Sequence, residues 1–533
     1  MSGLKIGLDF GTTNSIISLL NSNQELETFQ YDPLGNKDEY IPSFISYEDN
    51  EIEIGTAAKI TALNNPAVES YANFKMRLPL EENDYLAYFA EGRTPSTVTK
   101  DYLEELLLSK NNIYSFLQQK GEIEGIVVSV PEIWQRDICN LGRERLKAIV
   151  QELGLPLIQL VSEPVAAAAY YSWLFNHSPQ SKTTEPFYGN LLVCDMGGGT
   201  FDVSLCHLRQ DNKVEVLYFD GEGNKSLDVA GVAFDRYCVQ IAYSKLHDYT
   251  GDESSFEFKR LQREFETVKI TQQDKIRKRL ENYLESPEDF VDKVACTFGG
   301  IYSILCRDLV EAFLPIRQAI EKVINRVKAE IAKQSYSIDR ILFVGGFSQF
   351  ILVKKAVLSA LNFDNCNCLE ESLNLTQRAY AIAYGACLIA NDLIDPVEKF
   401  IHKMGIVIDT INPENCQKEE KLIEIIGGDI SLENLFRPQF PEIPPLVAFQ
   451  PNQPLSITLW IEPQSQGKKF KYTLPDQIQL PCYSSRAKWR VGMRVDRSQL
   501  AYLIVEEVFQ KQQVEYPLGN LTATLFPTFV LLE

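Results

Sequence analysis

One segment of this chain occurs twice, and the repeat limits the possible folds more than any other feature. Leu4–Leu19 reads LKIGLDFGTTNSIISL, and Leu191–Cys206 reads LLVCDMGGGTFDVSLC. Each copy has an apolar strand, an Asp, a turn containing Gly and Thr, and a second apolar run, which is the pattern of a β-hairpin with a glycine-built turn. Aligning Asp9 with Asp195 gives an offset of 195 − 9 = 186 residues. That spacing is too long for a solenoid and indicates two homologous lobes.

The residues of the two turns favour phosphate binding. Glycine lacks a Cβ, so backbone N–H groups can close on an anion, and threonine hydroxyls add donors. Asp9 and Asp195, at the strand ends, are suited to a hydrated Mg²⁺, which keeps several waters and takes few carboxylates. The alternative is two ordinary hairpins in which Asp-x-Gly only makes a turn, and two copies in register argue against it. The candidate phosphate-binding residues are Gly11, Thr12, Thr13 and Asn14 in the first turn and Gly197, Gly198, Gly199 and Thr200 in the second.

Other nucleotide motifs do not compete with this interpretation. The sequence contains neither G-x-x-x-x-G-K-[ST] nor G-x-G-x-x-G, and Gly221–Ser226 is only a superficial echo of such loops.

Composition sets the broad class. At roughly 150 residues per domain, 533 residues predict three or four units. A hydrophobic share of 45% with 23% charged residues is typical of folded protein, and the net charge of −20 disfavours a nucleic-acid partner. No apolar stretch approaches the roughly 18 residues of a membrane helix, and the N-terminus does not read as a signal peptide. We therefore expect a cytoplasmic, multidomain protein with no membrane association.

Further segments suit a two-lobed α/β ATPase. Gln159–Pro164 is a short strand that leads into an Ala-rich helix at Val165–Tyr171, so Glu163 lies at a strand–helix junction, where such folds place their sites. A solvated turn glutamate is the alternative. Arg340–Gly346 is a strand that runs into a glycine turn, a third place where backbone can approach a nucleotide. Asp308–Lys333 has the apolar spacing of an amphipathic helix, which indicates core.

These motifs together resemble the DnaK-type seventy-kilodalton heat-shock chaperones, within the actin/hexokinase-like ATPase superfamily. The resemblance covers roughly residues 3–390. LDFGTTNS and CDMGGGTFDVS are similar to the family's two phosphate loops, VSEPVAAAAY to its connecting motif and VGGFSQF to its adenosine motif. Lys75, in the segment NFKMRL, is the best match to the family's catalytic lysine.

The resemblance implies an α/β fold: a duplicated two-lobed actin-like ATPase, followed by a smaller all-β C-terminal domain. It predicts lobe I at 1–188, lobe II at 189–395, with its last helix returning to lobe I, and a β-rich domain at 396–533 resembling a reduced substrate-binding sandwich. ATP or ADP and Mg²⁺ would bind between the lobes, and ATP would be hydrolysed slowly by an in-line water.

The family's site residues carry over to matching positions. Lys75 and Glu163 would hold the attacking water, with Asp195 and Thr200 completing the catalytic set. Mg²⁺ would be organised by Asp9, Asp195 and Asp202, mainly through water. The nucleoside side would be formed by Glu266 and Lys269 at the ribose and by Gly345 and Gly346 beside the adenosine.

The sequence departs from the family at the base and at the interlobe relay. The family holds adenine between two arginines, but Ile270 and Gln349 stand here, with Phe347 in place of a small serine. The base would then be held by Phe347 or by apolar contact, which puts nucleotide selectivity in question. Beyond the family's relay proline, Cys139 replaces the expected arginine, and Arg143 is the candidate substitute one helical turn further on.

The last 140 residues predict strands. Asp395–Phe400 replaces the family's leucine-rich linker, and prolines break up anything helical. No helical lid is expected, so peptide exchange would be fast. An edge strand is expected to accept unfolded or partner protein segments, whereas the alternative is that Trp460 and Trp489 only fill a β core. The predicted strands are Ser456–Ile461, Lys468–Leu474, Trp489–Val495 and Leu500–Phe509.

Three functions follow from these patterns. The first is a chaperone-like ATPase that couples Mg·ATP hydrolysis to peptide binding, with a J-domain protein and an exchange factor as potential partners. The second is a nucleotide-gated interaction module with negligible turnover. The third is an actin-like filament protein, which the added β domain disfavours.

Overall fold

The computed structural model describes most of the chain, and every structural statement below concerns these residues: 3–31, 40–48, 51–65, 67–80, 82–136, 141–177, 185–223, 229–247, 251–253, 255–363, 369–371, 373–411, 416–442, 447–448, 456–463, 468–474, 488–519 and 530–531. The chain divides into two compact units. The first unit is Met1–Ile133 with Ile149–Pro396, and the second is Trp134–Ala148 with Val397–Glu533. The lobe boundaries given above stay a prediction.

The helices of the described residues lie mainly in the first unit. In chain order they are α1 (Gly55–Asn64), α2 (Glu82–Tyr85), α3 (Pro95–Leu107), α4 (Phe116–Gln119), α5 (Ile133–Arg136), α6 (Leu141–Glu152), α7 (Glu163–Asn176), α8 (Gly231–Ser244), α9 (Phe256–Thr271), α10 (Gln273–Glu285), α11 (Pro287–Phe290), α12 (Cys306–Gln334), α13 (Ile351–Leu361) and α14 (Leu375–Ala390). Short 3₁₀ turns occupy Phe74–Arg77, Leu86–Tyr88, Phe347–Gln349 and Leu432–Leu435.

The strands alternate with these helices through the first unit and dominate the second. They are β1 (Leu4–Phe10), β2 (Asn14–Leu20), β3 (Leu26–Thr28), β4 (Ile41–Pro42), β5 (Phe44–Glu48), β6 (Glu51–Ile54), β7 (Glu69–Ala72), β8 (Ile123–Val130), β9 (Leu157–Ser162), β10 (Asn190–Met196), β11 (Phe201–Leu208), β12 (Lys213–Glu222), β13 (Val294–Phe298), β14 (Tyr302–Leu305), β15 (Arg340–Val344), β16 (Leu369–Glu371), β17 (Asp395–Val397), β18 (Lys399–Phe400), β19 (Lys403–Ile411), β20 (Lys418–Ile426), β21 (Ile430–Ser431), β22 (Val447–Ala448), β23 (Thr458–Glu462), β24 (Phe470–Thr473), β25 (Lys488–Val495), β26 (Ala501–Glu507), β27 (Gln513–Gly519) and β28 (Val530–Leu531).

The two repeated segments are hairpins in two equivalent sheets. One sheet has the order β3-β2-β1-β8-β9 with β4 beside β2, and the other has the order β16-β15-β10-β11-β12-β17. In each sheet the first hairpin strand also pairs in parallel with a later strand, β1 with β8 and β10 with β15. The predicted hairpins and the duplicated α/β fold are therefore confirmed.

Two glycines allow helices to approach the core without a gap. A Cβ at Gly7 would lie 2.2 Å from the backbone nitrogen of Cys387, so α14 packs directly on β1. A Cβ at Gly385 would lie 1.7 Å from the carbonyl oxygen of Ala166, so α14 and α7 touch backbone to backbone. Because both neighbours are main chain, neither position tolerates a side chain without moving an element.

In its described residues the second unit contains two larger antiparallel sheets around one apolar core, and a two-stranded sheet of β18 and β21. The orders of the two larger sheets are β20-β19-β23-β24-β28 and β22-β25-β26-β27. Trp489 is 2% exposed and belongs to this core, as the packing interpretation predicts. Trp460 is also 2% exposed, but it alternates along β23 with the core residues Leu459 and Ile461, and its indole N–H donates to the carbonyl of Ile423. Sequence reasoning found β23 to β26 within two residues at each end and missed the β19–β20 hairpin.

A buried polar group also lies in the second unit. Arg143 is fully buried, with its guanidinium 3.9 Å from the Glu398 carboxylate, and Gln499 donates a 2.7 Å hydrogen bond to Glu398. Arg143 therefore belongs to the packing of this unit, and Cys139, the other half of the expected relay substitution, lies outside the described residues. The described part of the chain contains no helix with the length and apolarity needed to cross a membrane.

Candidate functional site

The turns of the two hairpins face each other across the first unit. A Cβ at Gly198 would lie 2.7 Å from Cγ2 of Thr13, and one at Gly199 would lie 2.9 Å from Oγ1 of Thr12. Side chains on the second turn would therefore displace the threonines of the first. The duplicated glycine turns thus form one shared cradle, as the repeat predicts for two lobes with a site between them.

Main-chain hydrogen bonds fix the glycine turn of the second hairpin. The N–H groups of Gly231 and Val232, at the start of α8, donate to the carbonyls of Gly197 and Gly198 at 3.1 and 2.9 Å. Because those carbonyls bond α8, the peptide planes of the turn have one fixed orientation. A Cβ at Gly197 would meet no atom within 4 Å, so this residue borders open space.

Three buried aspartates lie beside the cradle. Asp9, Asp195 and Asp202 are 9%, 4% and 0% exposed. Asp195 and Asp202 are paired residues across the β10–β11 hairpin, which places their carboxylates on the same face. Ser129 donates to Asp9 at 2.8 Å, and the N–H of Ile133 donates to Asp202 at 3.0 Å. One oxygen of Asp195 and one of Asp202 accept no hydrogen bond from the described residues.

Burial disfavours the charged form of all three aspartates. Desolvation, and then repulsion from Glu163, raise the pKa of Asp9 and that of Asp202 from 3.8 to about 7. The same two causes raise the pKa of Asp195 well above its usual value. A bound cation would favour the ionised form of all three carboxylates.

Lys75 and Glu163 form a buried ion pair at the same site. Lys75 lies in the 3₁₀ turn Phe74–Arg77, is 1% exposed and donates from Nζ to Oε1 of Glu163. Glu163 begins α7 directly after β9, as the strand–helix junction predicted. Lys75 offsets part of the negative charge: four nearby carboxylates against one ammonium leave −4 + 1 = −3 when all are ionised. The Lys75 ammonium therefore attracts the aspartate carboxylates, whereas the Glu163 carboxylate repels them.

Gly345 brings the predicted adenosine motif against this cluster. Its φ is +83°, and a Cβ there would lie 2.3 Å from Oδ1 of Asp195 and 2.7 Å from the carbonyl carbon of Met196. Only glycine fits such a position. The adjacent Gly346 is exposed, and a Cβ there would meet no atom within 4 Å.

Glu266 and Lys269 lie on α9 with partners that the sequence did not reveal. Lys269 Nζ bonds both carboxylate oxygens of Asp235, at 2.6 and 2.8 Å. Glu266 lies 3.5 Å from Lys59 Nζ on α1, so this pair connects the two halves of the first unit. Neither Lys59 nor Asp235 lies in a recognisable motif, and no local signal could have identified them.

The base-side residues differ in how much surface they offer. Phe347 is 6% exposed: its ring stacks on Phe350 at 5.4 Å between centroids, and Lys269 Nζ lies 5.2 Å from its centroid. Ile270 is 57% exposed. Gln349 accepts a 2.7 Å hydrogen bond from Nη1 of Arg378 on α14. Sequence reasoning missed Arg378.

The structure brings most of the predicted site residues to one region of the first unit. Within the ranges described, no three His, Cys, Asp or Glu side chains converge closely enough to enclose a metal ion directly. The cradle and the acidic cluster, with the Lys–Glu pair and the Gly345–Gly346 turn beside them, contain Asp9, Gly11, Thr12, Thr13, Asn14, Lys75, Glu163, Asp195, Gly197, Gly198, Gly199, Thr200, Asp202, Gly345 and Gly346. Glu266 and Lys269 lie instead on α9, where Lys269 bonds Asp235 on α8.

Two equivalent lobes with facing glycine hairpins define the duplicated, actin-like class of nucleotide-binding fold. Comparison with family models narrows the class: residues 5–403 match the model described as Hsp70 protein. The chain belongs to the Hsp70 family.

Curated relatives of low sequence identity support the same family. The chain is similar to the chaperone protein DnaK of Mycoplasmoides gallisepticum, 26% identical over 68% of this chain and 56% of the relative. It is also similar to a chaperone protein HscA homolog of Acinetobacter baylyi, 26% identical over 73% of this chain and 58% of the relative. A third similar protein is the chaperone protein DnaK of Mycoplasma mycoides subsp. mycoides SC, which is 26% identical over 79% of this chain and 66% of the relative. The chain thus spans 56–66% of the length of these relatives.

Proposed function

We propose that the chain binds Mg·ATP between its two lobes, hydrolyses it slowly, and couples that cycle to the binding of protein segments by the second unit. Family members are ATPases that bind nucleotide. The observation that carries the proposal is the pair of facing glycine hairpins beside a buried cluster of three aspartates and a Lys–Glu pair. The cytoplasm is the proposed location.

The aspartate cluster fits a hydrated Mg²⁺. Asp195 and Asp202 each keep a buried oxygen that accepts no hydrogen bond from the described residues, and water on a cation would satisfy both. Asp9 completes the acidic set. Bound Mg²⁺ would supply positive charge to neutralise the β- and γ-phosphates.

The chain's own residues position the reacting groups. We assign the glycine turns, with Thr12, Thr13 and Asn14, to the phosphates, and Thr200 to the γ-phosphate side. Lys75 and Glu163 orient the attacking water through their buried ion pair. Glu266 and Lys269 approach the ribose, and the glycine turn at Gly345 and Gly346 approaches the adenosine. Phosphoryl transfer depends on positioning and charge stabilisation, which rigid loops provide.

The client side of the proposal depends on the relatives. They are named chaperone proteins, and a β domain with edge strands such as β20 and β27 can accept an extended segment by strand addition. We assign unfolded or partner protein segments to this unit, with a J-domain protein and an exchange factor as further partners. Truncation at residue 395 should abolish client binding, and retained binding would refute this assignment.

Single-turnover hydrolysis of ATP with Mg²⁺ tests the ATPase assignment. Lys75→Ala and Thr200→Ala are compared with wild type and with Arg317→Ala, a lobe II control whose guanidinium pairs with Glu321 on the exposed face of α12. We expect both site variants to lose turnover while equilibrium ATP binding survives, and the control to keep both. Absence of ATP binding by the wild type would refute the proposal.

A second candidate is a nucleotide-gated interaction module. It is favoured by the closed environment of Phe347 and by the loss of both adenine-stacking arginines from their usual positions. Tight ATP binding without turnover, unchanged by Lys75→Ala, would select this function over the ATPase.

A further inference from the structure

An arginine from another helix reaches the base side of the site. Arg378 lies on α14, and its Nη1 donates a 2.7 Å hydrogen bond to Oε1 of Gln349. Gln349 ends the 3₁₀ turn that follows Gly345, the residue packed against Asp195. A half-buried guanidinium is therefore held at the end of the same glycine turn that borders the aspartate cluster.

The other base-side candidates are already occupied or exposed. The Phe347 ring packs against Phe350 and Phe234, the Lys269 ammonium lies 5.2 Å from its centroid, and the residue is 6% exposed. Lys269 is itself held by two hydrogen bonds to Asp235. Ile270, at 57% exposed, offers no polar or planar group. Arg378 presents a planar guanidinium from α14, outside that aromatic cluster.

We propose that Arg378 contacts the base of the bound nucleotide, stacking its guanidinium on the ring, and that Gln349 positions it. This rests on the proposed ATP site. A guanidinium is planar and weakly hydrated, so it stacks on aromatic rings better than an ammonium does. The hydrogen bond to Gln349 limits its rotation and so lowers the entropy lost on stacking. The ligand class is a purine nucleotide, recognised by the face of its base.

Equilibrium binding of two probes tests the assignment. ATP reports the whole site, and inorganic tripolyphosphate, both with Mg²⁺, reports only the phosphate half. Arg378→Ala should weaken ATP about tenfold, equivalent to about 1.4 kcal/mol, and leave tripolyphosphate affinity unchanged. Arg378→Lys, which keeps the charge but not the plane, should recover only part of the loss. Arg317→Ala, the matched control, should change neither probe.

A rescue separates base contact from a structural role. Gln349→Arg in the Arg378→Ala background supplies a guanidinium from the neighbouring position and should restore ATP affinity to within about threefold of wild type. If the added Gln349→Arg substitution only repaired packing, it would not restore ATP affinity selectively, with tripolyphosphate affinity unchanged. If Arg378→Ala weakens both probes equally, or neither, the base contact is refuted while the ATP site stands. If wild type binds neither probe, the proposed function fails as well.

Discussion

The substitution Gly345→Ala gives the sharpest test of how the site is built. Gly345 has φ +83°, and a Cβ there would lie 2.3 Å from Oδ1 of Asp195 and 2.7 Å from both the carbonyl carbon and the carbonyl oxygen of Met196. The first contact can be relieved by moving the Asp195 side chain. The contacts with Met196 are to main chain of β10 and require the strand or the turn to shift.

Two terms set the magnitude. An alanine in the left-handed region costs about 1–2 kcal/mol, and overpacking a rigid site typically costs about 1–3 kcal/mol. We therefore expect Gly345→Ala to lower the free energy of unfolding by about 2–5 kcal/mol. Because Asp195 must move, we also expect Mg·ATP affinity to fall by about 10- to 100-fold, the usual effect of displacing a group that orients a metal site.

Gly346→Ala is the matched control. It makes the same chemical change at the next residue, where φ is negative and no atom lies within 4 Å of the added Cβ. Urea unfolding followed by far-ultraviolet circular dichroism gives the stability of each variant, and calorimetry gives Mg·ATP affinity. If the two variants agreed within about 0.5 kcal/mol and bound Mg·ATP equally, the close approach of Gly345 to Asp195 would be wrong.

Three further predictions follow from the same packing and charge. Lys75→Met should lower the free energy of unfolding by about 3–5 kcal/mol because it leaves buried carboxylates uncompensated. Adding Glu163→Gln should cost less than the sum of the single variants in urea unfolding, and additive losses would show that the pair does not interact. The raised pKa of Asp202, about 7, means that the folded state holds its proton more tightly, so this contribution to stability is complete below about pH 4 and is lost as pH rises through about 7. Without Mg²⁺, wild type should therefore lose on the order of 2–3 kcal/mol relative to Asp202→Asn between pH 5 and pH 8, and a pH-independent difference would contradict the raised pKa. Gly385→Ala should fail to fold or lose more than about 4 kcal/mol, because its Cβ would lie 1.7 Å from the carbonyl oxygen of Ala166; thermal unfolding within a few degrees of wild type would contradict the backbone contact between α14 and α7.

Local features of the site were predictable because they depend on residues that are contiguous in the sequence. A hairpin needs alternating apolar positions and a glycine turn, and both repeats contain them within sixteen residues. The buried helix α12 was predicted within two residues at each end from its apolar period. The Asp of each repeat follows from its place at a strand end.

The partners of the site residues were not predictable from the sequence. In the sequence, Asp235 is one polar position on an amphipathic helix. Its role as a partner follows only from the packing of α9 beside α8, which places Lys269 against it. Ser129 is the exception, since a strand parallel to β1 brings its residues level with Asp9. The β19–β20 hairpin was missed because its charged, exposed second strand lacks a clear alternation.

The sequence by itself determined the duplicated hairpins, the glycine turns and the identity of the acidic residues, since these depend on backbone conformations and spacings that are local. Only the tertiary structure decided that Phe347 turns into the core, that Lys59 meets Glu266 across the first unit, and that Arg378 meets Gln349. Each of these contacts brings together residues from different elements, so no local pattern specifies them. They form because helices pack where their apolar faces fit, and the polar groups along those faces then take the partners that packing supplies.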